Sequence, residues 1–207
     1  MPYSAQQIKA ARLHLMRSEP IMRSIIKKVG PCKIKTSRDR FKTLASSIIS
    51  QQISGAAAKT IWGRLEQALE PAKISPEALE NHSVESLRQI GVSRQKATYL
   101  LDLRDRSLRG EIKFGSFKSM DEQEIIANLI AVKGIGRWTA QMFLMFSMCR
   151  PDVFPVDDLG IKNAIKMNYR LRKDPDAKKM SKLAEAWKPH RTFASWYLWQ
   201  SLDVKDK

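Results

Sequence analysis

The chain has few cysteines and histidines. Its 207 residues include two cysteines, Cys32 and Cys149, and three histidines, His14, His82 and His190, all far apart in the sequence. Two cysteines cannot build a four-cysteine iron–sulfur cluster or a cysteine-based zinc site. The scattered histidines argue against a histidine site as well. We therefore expect neither an iron–sulfur cluster nor a cysteine- or histidine-based metal site.

Long hydrophobic runs are also missing. No apolar run approaches the ~20 residues that a membrane span needs. The first residues, MPYSAQQIKAAR, lack the pattern of a signal peptide, and the low cysteine content fits a reducing compartment. We expect a soluble intracellular protein with no membrane partner, cytoplasmic and nucleoid-associated if bacterial, nuclear if eukaryotic.

Alternating polar and apolar residues, the pattern of β-strands, do not occur over any useful length. Apolar residues instead recur at helical spacing. The clearest stripe is Phe41, Leu44, Ala45, Ile48 and Ile49. Ser4 with Gln7 and Asp121 with Glu124 match capping boxes at helix starts. The sequence predicts an all-α fold, with residues 110–120 as a loop and a buried helix over residues 138–148, which is apolar nearly all round.

The charge is strongly positive and unevenly distributed. There are 37 Lys and Arg against 21 Asp and Glu, which gives a net charge of +16. Residues 1–42 hold eleven basic and two acidic side chains, and residues 159–191 hold ten basic and three acidic ones. Residues 121–158, in contrast, hold three basic and six acidic side chains. Such an excess favours a nucleic-acid partner, although a solvated basic surface or a membrane-surface binder would share it.

The most informative segment is residues 129–140 (LIAVKGIGRWTA), in which two glycines separate two predicted helices. Glycine permits positive φ and close approach of another backbone. The N–H groups of Gly136, Arg137 and Trp138 would begin the second helix, where helix N-termini bind phosphate. An ordinary turn between helices would have the same pattern.

Several blocks together resemble the 3-methyladenine DNA glycosylase II family, the AlkA type, within the helix-hairpin-helix superfamily. They are residues 132–140 (VKGIGRWTA), 153–162 (VFPVDDLGIK), 187–191 (WKPHR), 49–54 (ISQQIS) and 91–97 (GVSRQKA). The likeness spans roughly residues 38–201. Larger members carry an additional N-terminal α/β domain. We expect this chain to be the helical catalytic core alone.

The resemblance implies an architecture and an activity. The architecture is one domain over residues 1–207 with two helical lobes, about 38–115 and 1–37 with 116–207, and an active-site cleft between the lobes. The activity is that of a monofunctional DNA glycosylase in base excision repair. A monomer would flip alkylated, cationic purines out of double-stranded DNA and hydrolyse their N-glycosidic bonds, with no cofactor needed for the chemistry.

Asp158 is the catalytic candidate that the resemblance implies, because Asp158-Leu159-Gly160-Ile161 matches the superfamily motif D-x-x-[IV]. Asp157 is offset by one residue. Both acids would also serve as ordinary helix caps. Glycosidic cleavage passes through an oxocarbenium-like state, which a nearby carboxylate stabilises. An alkylated purine leaves as a neutral base, so little help from a general acid is needed.

The resemblance assigns further residues to the substrate and to DNA. The implied pocket residues are Trp138, Trp199 and Leu159, the last in place of a tyrosine found in larger members. The implied DNA-binding residues are Gln52, Lys133, Gly134, Gly136, Arg137 and Thr139. Gln52 matches the wedge that fills the space of a flipped base, and is otherwise a plain helix end. The tryptophans would equally fit a hydrophobic core.

The family's hairpin also holds a monovalent cation, Na⁺ or K⁺, through main-chain carbonyls. By position those carbonyls belong to Ile130, Val132 and Ile135. Three basic residues lie four apart on the helix predicted after Asp158, where they would form a stripe that faces either DNA or solvent: Lys162, Lys166 and Arg170.

Two other functions stay open on the sequence alone. One is a non-catalytic helix-hairpin-helix module that binds DNA, which would not need Asp158. The other is a glycosylase for oxidised or mispaired bases. Strand-cleaving members of that group place a lysine where this chain has Trp138. The sequence does not rank 3-methyladenine, 7-methylguanine, hypoxanthine and etheno-adducts as substrates.

Overall fold

A computed structural model describes residues 2–204, and this part of the chain is helical without β-strands. The all-α prediction is confirmed. None of its helices is long and apolar enough to cross a membrane. The α-helices are α1 Ala5–Ser18, α2 Pro20–Val29, α3 Arg40–Ser50, α4 Gly55–Ala68, α5 Val84–Gln89, α6 Arg94–Leu108, α7 Glu122–Ile130, α8 Arg137–Phe146, α9 Leu159–Asn168, α10 Ala177–Ala184 and α11 Arg191–Asp203.

Local capping signals place several helix starts. The Ser4 hydroxyl accepts from the Gln7 N–H at 3.1 Å, and the Gln7 side chain accepts from the Ser4 N–H at 2.8 Å. Asp121 and Glu124 form the same reciprocal pair. Each pair satisfies two backbone donors that a helix N-terminus leaves unpaired. Both predicted capping boxes are confirmed.

Two predictions about local structure need correction. Residues 110–120 are not entirely loop, because Ser116–Lys118 form a 3₁₀ turn whose Phe117 ring is buried. The helix predicted over residues 138–148 is α8, and its start is not buried. Trp138 is 48% exposed because it lies in the first turn after the hairpin, where it lines a surface cavity.

The chain forms two compact units. One contains the chain up to Arg38 together with the part from Leu144 onward, and the other is Asp39–Phe143. The boundary after Arg38 lies one residue from the predicted boundary after residue 37. The boundary after Phe143 lies within α8, whereas the predicted one was near residue 115. The reason is a cluster of aromatic rings in the second unit, which joins Phe114 and Phe117 to Phe143 of α8.

In the unit with both chain ends, α11 packs against α9, α2 and α1. The core between these helices includes Leu15, Met22, Ile165, Trp187 and Tyr197. All five are fully buried, and burial of an aliphatic side chain of this size contributes roughly 1.5–3 kcal/mol.

In the unit Asp39–Phe143, α3 packs against α4 and α6, and α5 packs against α6. The stripe predicted from helical spacing is the buried face of α3: Phe41, Leu44, Ala45, Ile48 and Ile49. Leu100 and Leu103 of α6 are fully buried in the same unit. This core holds the C-terminal end of α3 and the turn that follows it.

Candidate active site and nucleic-acid interface

Asp158 is the N-cap residue of α9. Its Oδ1 accepts a hydrogen bond from the Ile161 N–H at 2.7 Å and another from the Trp199 indole Nε1–H at 2.8 Å. The residue is only 8% exposed. A carboxylate at a helix N-terminus is stabilised by the helix dipole, and two donors on one oxygen fix its orientation. Asp158 is therefore a buried carboxyl group held in a fixed orientation.

Asp157 has a different environment. It is exposed, whereas Asp158 is buried. Leu159, the next residue, is 68% exposed because it opens the first turn of α9. The motif selects Asp158 and not its neighbour Asp157. In the structure the selected acid is buried and the other is exposed to solvent.

Gly160 allows the contact between Trp199 and Asp158. A Cβ at Gly160 would lie 3.0 Å from Trp199 Cδ1 and 3.1 Å from both Trp199 Nε1 and Asp158 Oδ1. Such distances are shorter than the ~3.5–4.0 Å optimum for carbon contacts. No local pattern in the sequence indicates this role of Gly160, which lies in the D-x-x-[IV] motif, because Trp199 is distant along the chain.

The hairpin between α7 and α8 is braced by α6. Gly134 has φ 80°, and a Cβ there would overlap the Tyr99 ring. The Lys133 N–H donates to Asp102 Oδ2 at 2.9 Å, and Asp102 also pairs with Arg106. The fold therefore requires glycine at position 134 for two reasons: the positive φ and the close approach of the Tyr99 ring. Tyr99 and Asp102 were not found from the sequence, because their contact with the hairpin is long-range.

Gly136 differs from Gly134. A Cβ at Gly136 would meet no protein atom within 4 Å, so protein packing does not require glycine there. The Lys133 and Arg137 side chains are exposed on either side, while Thr139 is buried in α8. The hairpin thus presents an open backbone flanked by two cations.

The turn after α3 carries Gln52 in an unusual conformation. Its φ is 53°, in the left-handed region that costs a residue with a side chain about 1–2 kcal/mol. The side chain is exposed. Strained residues of this kind cluster at functional sites.

A cavity of about 480 Å³ adjoins this turn within the same unit. Its lining residues are Ser46, Ser47, Ser50, Gln51, Gln52, Trp138, Thr139 and Met142. The structure thus brings together three of the residues singled out from the sequence, Gln52, Trp138 and Thr139. Trp199 does not line this cavity; its indole N–H donates to Asp158.

The basic row after the aspartate is not one helical stripe. Lys166 and Lys162 both pair with Asp174, at 2.7 and 3.5 Å. Hydrogen bonding to Lys166 lowers the pKa of Asp174. Arg170 lies beyond the end of α9 and has φ 52°. The expectation that the three share one helix face is wrong, because α9 ends at Asn168.

The three carbonyls predicted for a monovalent cation lie in the hairpin. The Val132 carbonyl accepts from the Ile135 N–H at 3.1 Å, and a carbonyl oxygen has a second lone pair. Ile130 is exposed at the end of α7. Oxygen donors of this kind suit hard cations, so the residue types fit such an ion. In residues 2–204, no group of three or more His, Cys, Asp or Glu side chains is placed to hold a metal.

Comparison with known proteins identifies relatives along most of the chain. A profile described as HhH-GPD superfamily base excision DNA repair protein matches residues 45–190. The alkylbase DNA glycosidase-like protein mag2 of Schizosaccharomyces pombe is 32% identical over 197 residues, which cover 93% of this chain and 92% of that protein.

Two solved structures are similar in fold. The 3-methyladenine DNA glycosylase Mag1 of Schizosaccharomyces pombe, in complex with abasic DNA, has a TM-score of 0.82 and 30% identity, covering 96% of this chain and 98% of that one. A DNA-3-methyladenine glycosidase from Bacillus halodurans has a TM-score of 0.82 and 36% identity, covering 91% and 87%. The predicted likeness to 3-methyladenine DNA glycosylases is confirmed. The chain belongs to the HhH-GPD superfamily of base excision DNA repair proteins.

Proposed function

We propose that this chain is a monofunctional DNA glycosylase that removes alkylated purines, such as 3-methyladenine and 7-methylguanine, from double-stranded DNA. The observation that carries the proposal is Asp158, an acid buried at the start of α9 and held by two hydrogen-bond donors. A module that only binds DNA would need Asp158 as a helix cap alone, without the second donor from Trp199. The names of the relatives point to the same reaction.

The chemistry needs a fixed negative charge beside the deoxyribose. As the bond between sugar and base breaks, positive charge develops on the sugar, and the Asp158 carboxylate stabilises it. The same carboxylate orients the attacking water. A purine that is already cationic takes the bonding electrons and leaves neutral, so a second acid is not required. Trp199 and the Ile161 N–H keep the carboxylate in place during this step.

The hairpin is the proposed contact with DNA. The N-terminus of α8 offers N–H groups to a phosphate, and the open space at Gly136 lets the phosphate approach the backbone. Lys133 and Arg137 add positive charge on either side. Flipping a base out costs a few kcal/mol of unstacking, and Gln52 fills the vacated space. Trp138 offers an aromatic face to a cationic base.

A monofunctional glycosylase leaves the DNA strand uncut. Strand cleavage by members of this superfamily requires an amine that attacks the sugar and forms a Schiff base. The position after Gly-x-Gly-x holds Trp138, which has no amine. Water is then the nucleophile, and the product is an intact strand with an abasic site. Breaks should appear only after alkali, and borohydride should trap no covalent complex; a trapped adduct would overturn the monofunctional assignment.

Base release is the decisive measurement. Methylated duplex DNA is incubated with the protein, and the released bases are resolved by chromatography. Asp158→Asn should lose about 10²-fold or more of the activity and keep its affinity for an abasic-site duplex. Asp157→Asn is the matched control and should be much milder, because Asp157 is exposed. No release by the wild type would favour a binding module. Release only from oxidised or mispaired DNA would favour the other glycosylase class.

A monovalent cation at the hairpin is a finer part of the proposal. The carbonyls of Ile130, Val132 and Ile135 would hold it, and its charge would attract a DNA phosphate. Replacing K⁺ or Na⁺ by a bulky organic cation at equal ionic strength should weaken DNA binding. The compartment and the monomeric state stay predictions.

A further inference from the structure

The turn after α3 is tied directly to the hairpin. The Gln51 side chain donates from Nε2 to the Gly134 carbonyl at 2.8 Å, across 83 positions of sequence. Gln51 is half-buried, while its neighbour Gln52 is exposed. One residue thus faces the hairpin and the next faces solvent.

A second tie holds the same turn from the side of α6. Lys96 Nζ donates to the Ile49 carbonyl at 2.7 Å, near the C-terminal end of α3, where carbonyls lack helical partners and favour cations. Desolvation by burial lowers the pKa of Lys96, which agrees with an ammonium partly withdrawn from water. The end of α3 is therefore capped from one side and linked to the hairpin from the other.

The hairpin end of this link is itself rigid. The backbone at Gly134 lies against the Tyr99 ring, and the Tyr99 hydroxyl accepts from Gln95 Nε2 at 2.7 Å. The Gly134 carbonyl therefore has little freedom to move away from Gln51. A hydrogen bond to a fixed acceptor holds its donor in place, so loss of the bond would leave the turn at Gln51 and Gln52 free to shift.

We propose that Gln51 is a positioning residue that fixes the Gln52 turn against the phosphate-binding hairpin, so that the wedge and the hairpin meet DNA in a set register. The inference rests on the proposed glycosylase function. It adds that Gln51 acts through Gln52 and does not itself touch the base. Functional side chains must be held to within about 0.5 Å, and Gln52 has a strained backbone that would relax without external support.

The test removes the donor and keeps the size of the side chain. Gln51→Met should lower the rate of 3-methyladenine release from duplex DNA by about 3- to 10-fold, the scale of one hydrogen bond. Release from the same oligonucleotide as a single strand should change little, because a wedge matters only where stacking must be replaced. Gln67→Met, an exposed glutamine on α4, is the matched control and should behave as wild type on both substrates.

A double-mutant cycle decides whether Gln51 works through Gln52. In the Gln52→Ala background, adding Gln51→Met should cause little further loss on duplex DNA. Equal losses on duplex and single strands, or losses that multiply in the double variant, would overturn the proposal. Absence of base release by the wild type would instead reject the glycosylase function, so the two failures are distinguishable.

Lys96 provides an independent variant in case Gln51→Met folds poorly. Lys96→Met should show the same loss confined to duplex DNA, since it frees the end of α3. Lys96→Arg keeps a cationic donor and should restore most of the activity. No difference between the two Lys96 variants in the ratio of duplex to single-strand rates would contradict the role of this turn.

Discussion

Adding one methyl group at Gly160 tests whether the contact between Trp199 and Asp158 serves the reaction. Alanine is favoured over glycine by about 1 kcal/mol within a helix, so propensity alone predicts that Gly160→Ala stabilises α9. The new Cβ would lie 3.0–3.1 Å from atoms of Trp199 and Asp158. The indole must therefore move by a few tenths of an ångström, and the 2.8 Å hydrogen bond to Asp158 Oδ1 must lengthen.

The expected loss of activity in Gly160→Ala follows from the strength of the hydrogen bond between Trp199 and Asp158. A hydrogen bond to a charged group contributes about 1.5–3 kcal/mol, and about 1.4 kcal/mol corresponds to a tenfold change in rate. If the Trp199 bond is lost, kcat for base release should fall about 10- to 100-fold. Overpacking costs about 1–3 kcal/mol, which offsets the gain in helix propensity. With the lost hydrogen bond included, the free energy of unfolding should fall by about 1.5–5 kcal/mol.

Single-turnover release of 3-methyladenine from duplex DNA, together with urea unfolding, measures both quantities. Gly63→Ala in α4 is the matched control, because a Cβ there meets nothing within 4 Å. It should raise the free energy of unfolding by about 1 kcal/mol and leave kcat unchanged. Trp199→Phe should show the same loss of kcat as Gly160→Ala. If Gly160→Ala keeps the wild-type kcat, the contact between Trp199 and Asp158 is structural only.

Three further predictions address DNA binding and stability. Gly136→Ala should change the free energy of unfolding by less than about 1 kcal/mol yet weaken binding to an abasic-site duplex; unchanged affinity would remove Gly136 from the interface. Affinity for undamaged duplex should fall with salt at about −0.9 in log–log slope per phosphate contacted, and a flat titration would contradict the DNA partner. Burial and the nearby His14 lower the pKa of His190, partly opposed by Asp152. The unfolded state then binds more protons than the folded state just below pH ~6.5, so stability should fall as the pH drops through that window. His190→Gln should flatten this dependence in urea unfolding at pH 5.5 and 7.5, and an unaltered slope would show that other groups cause it.

The sequence by itself determined the features that depend on near neighbours along the chain. Capping boxes at Ser4 and Asp121 act over three residues, so they could be recognised without knowledge of the fold. The same holds for the apolar face of α3, which follows from helical spacing. Asp158 could be distinguished from Asp157 because the motif places it three residues before Ile161. The Asp158 carboxylate accepts a hydrogen bond from the Ile161 N–H.

Other predicted features were wrong where distant residues decide the outcome. The pattern of residues 138–148 indicated a buried helix, but Trp138 at its start is 48% exposed. Whether a side chain is covered depends on elements from elsewhere in the chain. The division near residue 115 failed to include Phe143, whose ring packs with Phe114 and Phe117. Periodicity reports how apolar a face is, and it does not report which partner covers it.

Only the tertiary structure decided how the site is held together. Trp199 meets Asp158 across 41 positions of sequence, and Gln51 meets Gly134 across 83. No local signal encodes either pair, since each hydrogen bond forms only after several helices have packed around a common core. The two hairpin glycines show the same division. The sequence marks Gly134 and Gly136 alike, whereas packing against Tyr99 requires the first and leaves the second open to a ligand.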